Sequence, residues 1–281
     1  MNNIHISNPK LLEEKISKIK SDGSTTFHVV SDFDKTLTPA FINGKKAETG
    51  ISQLRAGGYL SPEYVEKAYA LHAKYYPIEI DETLSIEERS RFMLEWWTEH
   101  LKIMIQYGLN KEVIDDIIKK RKLRPREGSL EFYLLLNQLN IPLLIFSAGK
   151  GNLIKGFLKQ EESLYPNIHI IANFYNFDEK GNVTGYKSNI VHTFNKSEVQ
   201  LRNHPYSKQI KERKNVMLLG DGIGDLGMTV GIEHDTILRI GFLNENPEKL
   251  PLFEKEFDVV ITNDGSMEYI NNLLKRMFNT H

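Results

Sequence analysis

Phe27-His28-Val29-Val30-Ser31-Asp32-Phe33-Asp34-Lys35-Thr36 is the stretch whose reading decides the fold. Its first four residues read as a buried strand, which then stops at two carboxylates one residue apart. Asp32 and Asp34 therefore stand at a strand's carboxyl end, where open parallel sheets bind their ligands. Two more apolar runs end in the same manner. Ile141-Pro142-Leu143-Leu144-Ile145-Phe146 leads into Ser147-Ala148-Gly149, and Asn215-Val216-Met217-Leu218-Leu219 leads into Gly220-Asp221. Ile237–Gly241 and Phe257–Ile261 read as two further strands, and Leu11–Ile19 has helical spacing. Continuous apolar strands separated by helical segments indicate an α/β fold with a parallel sheet covered on both faces.

Between the first two strands lies an excursion, residues 41–124, far longer than an ordinary crossover. Ser61-Pro62-Glu63 opens a helix with an N-cap and a proline at its first position, and that helix is expected to stop before Pro77. Ser85-Ile86-Glu87-Glu88 is a capping box for a second helix, which carries Trp96 and Trp97, and Asn110 caps a third. The excursion reads as a helical cap, residues 41–124, inserted into a core of residues 1–40 and 125–281. Phe41-Ile42-Asn43-Gly44-Lys45 carries a hairpin turn, and a second hairpin is expected over Asn173–Tyr186.

The chain has 281 residues, 36 of them basic and 37 acidic, for a net charge of -1. That balance gives no field for a nucleic-acid polymer or an anionic membrane. With no cysteine, disulfides, thiolate metal sites and cysteine nucleophiles are excluded. Met1–Lys20 lacks the apolar core of a signal peptide, and no apolar run reaches membrane-spanning length. The expectation is a cytoplasmic protein with no membrane partner, acting as a monomer.

The three strand ends carry the chemistry. One carboxylate of the Asp32/Asp34 pair can attack phosphorus, and the other can protonate a leaving alkoxide and then activate water. Carboxylates facing a phosphate dianion repel it, so a divalent cation is required, and hard oxygen donors suit Mg2+. Asp221 and Asp225 offer further ligands on a loop whose glycines at 220, 222 and 224 let it turn tightly. Ser147 can donate to phosphate, and Lys196, in His192-Thr193-Phe194-Asn195-Lys196, can balance charge. Singly, each is commonplace: Asp-x-Asp is usually turn chemistry, and a lone lysine is usually on the surface. The ordered set across three strand ends is what points to a phosphatase.

That ordered set resembles the four motifs of the haloacid dehalogenase superfamily. The resemblance implies a Rossmannoid parallel-sheet core with an inserted helical cap. It implies Asp32 as nucleophile and Asp34 as acid/base. It implies metal ligation by the Asp32 carboxylate, the Asp34 backbone carbonyl and Asp221, with Asp225 ordering the metal's water shell. Thr36, Ser147, Ala148 and Lys196 would hold phosphate. Tyr75-Tyr76-Pro77-Ile78-Glu79-Ile80-Asp81, Glu95-Trp96-Trp97-Thr98, Ile145-Phe146-Ser147-Ala148-Gly149 and His192-Thr193-Phe194-Asn195-Lys196 resemble the cytosolic 5'-nucleotidase III family more closely. This likeness spans nearly the whole chain. It implies hydrolysis of nucleoside 5'-monophosphates (CMP, UMP or 7-methyl-GMP) through an aspartyl phosphate. Glu79 would accept hydrogen bonds from the base and Trp97 would stack on it, with His100 standing beside them where the family has a small residue. The segment Ala47–Ser52 and Gly222 also depart from the family pattern. The alternative is another small-metabolite phosphatase of the superfamily, such as one acting on phosphoserine. A dinucleotide-binding oxidoreductase fits less well, because Asp225 stands where its glycine pattern needs a third glycine. A catalytically dead nucleotide-binding protein would be expected to have lost one of Asp32, Asp34, Lys196 or Asp221.

Overall fold

The computed structural model describes residues 3–81, 83–197 and 205–279. Ile4–His5 form β1, and Pro9–Asp22 form α1. Asn8 caps α1 by accepting from the Leu11 amide, and the helix buries Leu12, Ile16 and Ile19, an i, i+4, i+7 stripe. Phe27–Ser31 form β2, all five residues buried. Phe41–Ile42 (β3) and Lys45–Lys46 (β4) pair across Asn43 and Gly44, both at positive φ, as an Asn-Gly hairpin turn requires.

The inserted helices follow: α2 (Gly50–Ala56), α3 (Pro62–Glu79), α4 (Ile86–Gln106) and α5 (Lys111–Lys119). Thr49, Ser61, Ser85 and Asn110 each cap one through a side-chain oxygen, contributing about 1 kcal/mol apiece. The Ser85–Glu88 capping box is reciprocal, as its sequence requires. Contrary to expectation, α3 does not stop before Pro77 but runs through it to Glu79. Pro77 lies in the last turn, where only its own missing amide is lost, and the Ile80 amide still reaches the Tyr76 carbonyl. Glu79 is thereby fixed at a helix end rather than in a loop.

The chain returns through α6 (Ser129–Gln138) to β5 (Leu143–Lys150), then α7 (Gly151–Gln160) and β6 (Ile168–Asn173). A hairpin of β7 (Tyr175–Phe177) and β8 (Val183–Tyr186) follows, then α8 (Pro205–Ile210) and β9 (Asn215–Gly220). The last elements are β10 (Thr236–Leu243), α9 (Leu250–Glu256), β11 (Val259–Thr262) and α10 (Glu268–Phe278). Two strands, β1 and β6, lie outside the sequence reading, and both are sheet edges.

The seven-stranded sheet has the order β1-β11-β10-β9-β2-β5-β6, parallel throughout except for β1 against β11. From β2 the chain moves outward through β5 to β6, then crosses back to β9 on the other side of β2. The crevice at the carboxyl ends of β2 and β9 is therefore a topological switch point. Residues alternate across the sheet with period two. Val29, Leu143, Ile145, Met217 and Leu219 pack with α1, α6, α7 and α10, while Val30, Leu144, Phe146, Val216 and Leu218 face the opposite cluster. Each fully buried side chain of this size contributes about 1.5–3 kcal/mol. A third cluster joins Leu54, Tyr64, Met104 and Ile114 of the inserted helices to Leu153 of α7 and to Tyr175 and Val183 of the hairpin. The inserted helices thus pack on residues well beyond position 124. No helix among the described residues is long and apolar enough to cross a membrane.

Candidate active site

Asp32 follows β2 directly, and its amide donates to the Leu219 carbonyl of β9 at 3.0 Å, which docks it on the neighbouring strand end. Asp221 follows β9 by the same logic. Carboxylate oxygens of Asp32, Asp221 and Asp225 lie within 4.8 Å of one another. The Asp34 carboxylate is not in that group. It sits across the crevice, with Oδ2 3.1 Å from where a Cβ on Gly149 would stand. At that position glycine leaves room for Asp34 beside Ser147, whose Oγ accepts from the Gly149 amide at 3.0 Å.

Lys196 Nζ donates to Asp32 Oδ1 at 2.5 Å and to Asp225 Oδ1 at 2.9 Å. The other oxygen of Asp225 accepts the Asp221 and Gly222 amides, both at 3.1 Å. Asp225 is therefore engaged on both oxygens, one by the lysine and the other by the amides of its own loop. Gly220 permits this, because a Cβ there would meet Asp225 Cβ at 2.5 Å. None of the glycines at 220, 222 and 224 adopts a positive φ, so close approach rather than a special turn is what the loop needs.

Burial pushes the Asp32 carboxyl up to about 7, against the pull of Lys196, with Asp225 and Asp34 adding like-charge repulsion. Burial likewise raises Asp34 to about 6 and Asp221 well above the usual carboxylate range. Burial opposes the charge of Lys196, but Asp225 and Asp32 together outweigh it and hold the ammonium above its ordinary pKa. These shifts share one origin: several carboxylates are buried together, and Lys196 and Lys35 offset only part of the cost.

The four aspartates open into a cavity of about 500 Å³. Among the described residues, six carboxylates and four cationic side chains line it, a deficit that a phosphate dianion would deepen. A divalent cation with oxygen ligands fits the Asp32/Asp221 corner on this charge balance. Ser147, Ala148 and Glu79 also line the cavity. Glu79 Oε1 accepts from Thr193 Oγ1 at 2.6 Å, and burial raises its carboxyl above the ordinary value.

Other expected residues lie elsewhere. Trp97 lines a neighbouring cavity of about 180 Å³, which shares Asp34, Ala148 and Gly149 with the first. His100 is not brought to either cavity. It is buried between Trp97 and Tyr64, with Nε2 3.1 Å from the Tyr64 hydroxyl, and burial lowers its pKa to about 3. Thr36, expected to hold phosphate, is fully buried and does not line the cavity, and its Oγ1 is unpartnered. The turn after β2 winds tightly, the Thr36 and Leu37 amides both returning to the Phe33 carbonyl, and so carries Thr36 inward.

The sequence reading missed the residues that hold these loops. Arg126 is 1% exposed and donates to the carbonyls of Thr36, Gly265, Lys35 and Thr38, pairing also with Asp264 at 3.0 Å. Asn173 Nδ2 donates to the Ala148 and Val191 carbonyls, both at 2.8 Å, tying the Ser147 loop to the segment before Lys196. Lys35, Tyr76, Arg89 and Phe194 line the main cavity, with the Arg89 guanidinium 4.7 Å from the Phe194 ring centre. Lys35, Tyr76 and Phe194 stand inside quoted motif strings; nothing about Arg89 on α4 marks it in the sequence.

Comparison with known proteins agrees with this geometry. The family described as pyrimidine 5'-nucleotidase (UMPH-1) matches residues 35–278. The human 7-methylguanosine phosphate-specific 5'-nucleotidase is 35% identical over 271 residues, 96% of this chain and 90% of that protein. The crystal structure of cytosolic 5'-nucleotidase IIIB bound to cytidine superposes with a TM-score of 0.88 at 30% identity, covering 99% of this chain and 94% of that one. A phosphoserine phosphohydrolase-like protein from Francisella tularensis subsp. tularensis SCHU S4 superposes with a TM-score of 0.53 at 15% identity, over 88% of this chain and 98% of that one, a likeness of fold alone.

Proposed function

The chain belongs to the pyrimidine 5'-nucleotidase (UMPH-1) family and is a 5'-nucleotidase of haloacid dehalogenase fold, and we propose that it works through Asp32 as nucleophile with Mg2+ as cofactor. The observation that carries the proposal is the meeting of Asp32, Asp221 and Asp225 around Lys196 at the switch point, with Asp34 opposite in the same cavity.

An oxygen of Asp32 attacks the phosphorus of a nucleoside 5'-monophosphate in line with the departing 5'-oxygen. The bond to that oxygen breaks, leaving an aspartyl phosphate and a nucleoside alkoxide. Asp34 gives its proton to the alkoxide as it leaves; burial raises its carboxyl to about 6, nearer neutral pH than an ordinary carboxyl. The same carboxylate then takes a proton from water, which attacks phosphorus and restores Asp32 with release of phosphate. Lys196 holds Asp32 in place and balances charge on the transferring group. Ser147 and the amides beside it receive the phosphate oxygens. The Asp32 and Asp221 carboxylates with the Asp34 carbonyl would hold the cation, which supplies the neutralisation that lets a dianion approach.

The cavity extends from this centre to Glu79 at the end of α3, and Trp97 lies just beyond Asp34. In the proposal Glu79 accepts N–H donors of the base and Trp97 supplies a stacking face. Phosphate release from CMP, UMP, 7-methyl-GMP and phosphoserine with added magnesium tests the reading. Nucleotides should exceed phosphoserine in kcat/KM by about a hundredfold or more, since the amino acid lacks a group for either cap residue. Equal turnover of phosphoserine would contradict it.

A further inference from the structure

Lys150 is the last residue of β5, two positions beyond Ala148, and is 2% exposed. A buried ammonium ordinarily requires a carboxylate beside it. Among the described residues Lys150 has none. Its Nζ donates to the Tyr186 hydroxyl at 2.6 Å and lies 3.9 Å from the centre of the Trp97 ring system, with the Tyr186 and Tyr175 rings at 5.0 and 6.0 Å. Aromatic faces, not an anion, hold this side chain. It lines the smaller cavity with Trp97, Ile51 and Asp34, so the cage adjoins the reacting carboxylates.

We propose that Lys150 sets base preference: by placing a cation of the chain's own on Trp97, it disfavours nucleotides whose base carries a fixed positive charge, as 7-methylguanine does, and favours neutral pyrimidines. This deepens the reading above and rests on it, because it takes Trp97 as the ring on which the base stacks. An indole has two faces but one π system. On the face Lys150 covers, a cationic base meets an ammonium. On the opposite face, it meets π density that Lys150 has already drawn away. In both cases the gain a cation makes on a free indole is reduced. A neutral pyrimidine keeps its stacking, because that gain does not depend on a cation–π attraction. Burial holds the Lys150 ammonium well below its ordinary pKa, with no carboxylate among the described residues to offset it. The indole face works for the ammonium form, as does a phosphate dianion arriving at Ala148 and Gly149 next door. The human relative is named for 7-methylguanosine phosphate, so the proposal separates this chain from it in base choice.

The test is the ratio of kcat/KM for CMP to that for 7-methyl-GMP in wild type, Lys150→Met and Lys150→Arg, each rate normalised to p-nitrophenyl phosphate hydrolysis by the same protein. Wild type should favour CMP, Lys150→Arg should keep that preference, and Lys150→Met should reduce the ratio about tenfold. An unchanged ratio in folded Lys150→Met overturns the proposal. Should that variant not fold, calorimetric titration of wild type with cytidine and 7-methylguanosine decides: tighter cytidine supports the proposal, and tighter 7-methylguanosine overturns it. Trp97→Ala separates the two layers. If it leaves the ratio of nucleotide to p-nitrophenyl phosphate turnover unchanged, the stacking reading fails and this proposal with it. If that ratio falls while Lys150→Met leaves selectivity intact, only the role of Lys150 fails.

Discussion

Glu79→Ala removes a carboxylate held at the end of α3, where it lines the main cavity and accepts a 2.6 Å hydrogen bond from Thr193. An ionised carboxylate is acceptor-only, so it rewards a base that brings N–H groups and is left unpaired by one that does not. Losing a hydrogen bond to a charged group costs about 1.5–3 kcal/mol, which is about 10- to 150-fold in kcat/KM. Two features place the effect near the lower end. Glu79 is only half-buried, and Thr193 already satisfies one of its oxygens. The expected loss is therefore about tenfold for CMP. The assay compares kcat/KM for CMP and UMP with that for p-nitrophenyl phosphate, which has no base to be read. Glu79→Gln should be milder for UMP than for CMP, because an amide both donates and accepts, matching the uracil edge. If Glu79→Ala leaves the nucleotide to p-nitrophenyl phosphate ratio unaltered, the carboxylate is not the reader and the reasoning fails.

Lys196→Met should reduce turnover about a hundred- to a thousandfold, as loss of a preorganised charge at a reacting centre does. It should also destabilise the metal-free protein by about 3–5 kcal/mol, because Asp32 and Asp225 lose the one cation they share. Denaturant unfolding in chelator measures this, and a change below about 1 kcal/mol, the worth of a surface pair, would count against the bridge. Magnesium should raise the melting temperature more at pH 8 than at pH 5.5. The sign follows from Asp32 at about 7 and Asp34 at about 6 in the folded protein, both above the value near 4 of an unfolded chain. The folded metal-free state holds protons that the unfolded chain has released, so its stability falls as pH rises from about 4 through 7. A bound cation favours the ionised carboxylates and cancels that loss; an equal gain at both pH values would refute the assignment.

The core of this site was legible because each motif ends an apolar run. Phe27–Val30 and Asn215–Leu219 are buried on both faces, so they read as strands, and the polar residues that follow them had to sit at the strands' carboxyl ends. The helix caps were legible for a related reason, since Ser61, Ser85 and Asn110 act on amides three residues away. What escaped depends on distant partners. Arg126 lies ninety residues from the Thr36 carbonyl it holds, and no local pattern announces that bond. Thr36 and His100 lie outside the two cavities because motif spacing says which residues are near a site, not which way a tight turn or a helix face directs them. Pro77 misled because its cost depends on where the helix would end anyway. Lys150 reads as an ordinary strand-end lysine until Trp97, Tyr175 and Tyr186 close over it.

Covalent capture of phosphate tests the account most directly. The enzyme is mixed with CMP carrying radiolabelled phosphate and magnesium, quenched in acid within one turnover, digested, and its peptides mapped. The account predicts acid-stable, base-labile label on the peptide containing Asp32, and none in Asp32→Asn. Label on a residue other than Asp32, or full turnover by folded Asp32→Asn, would contradict it.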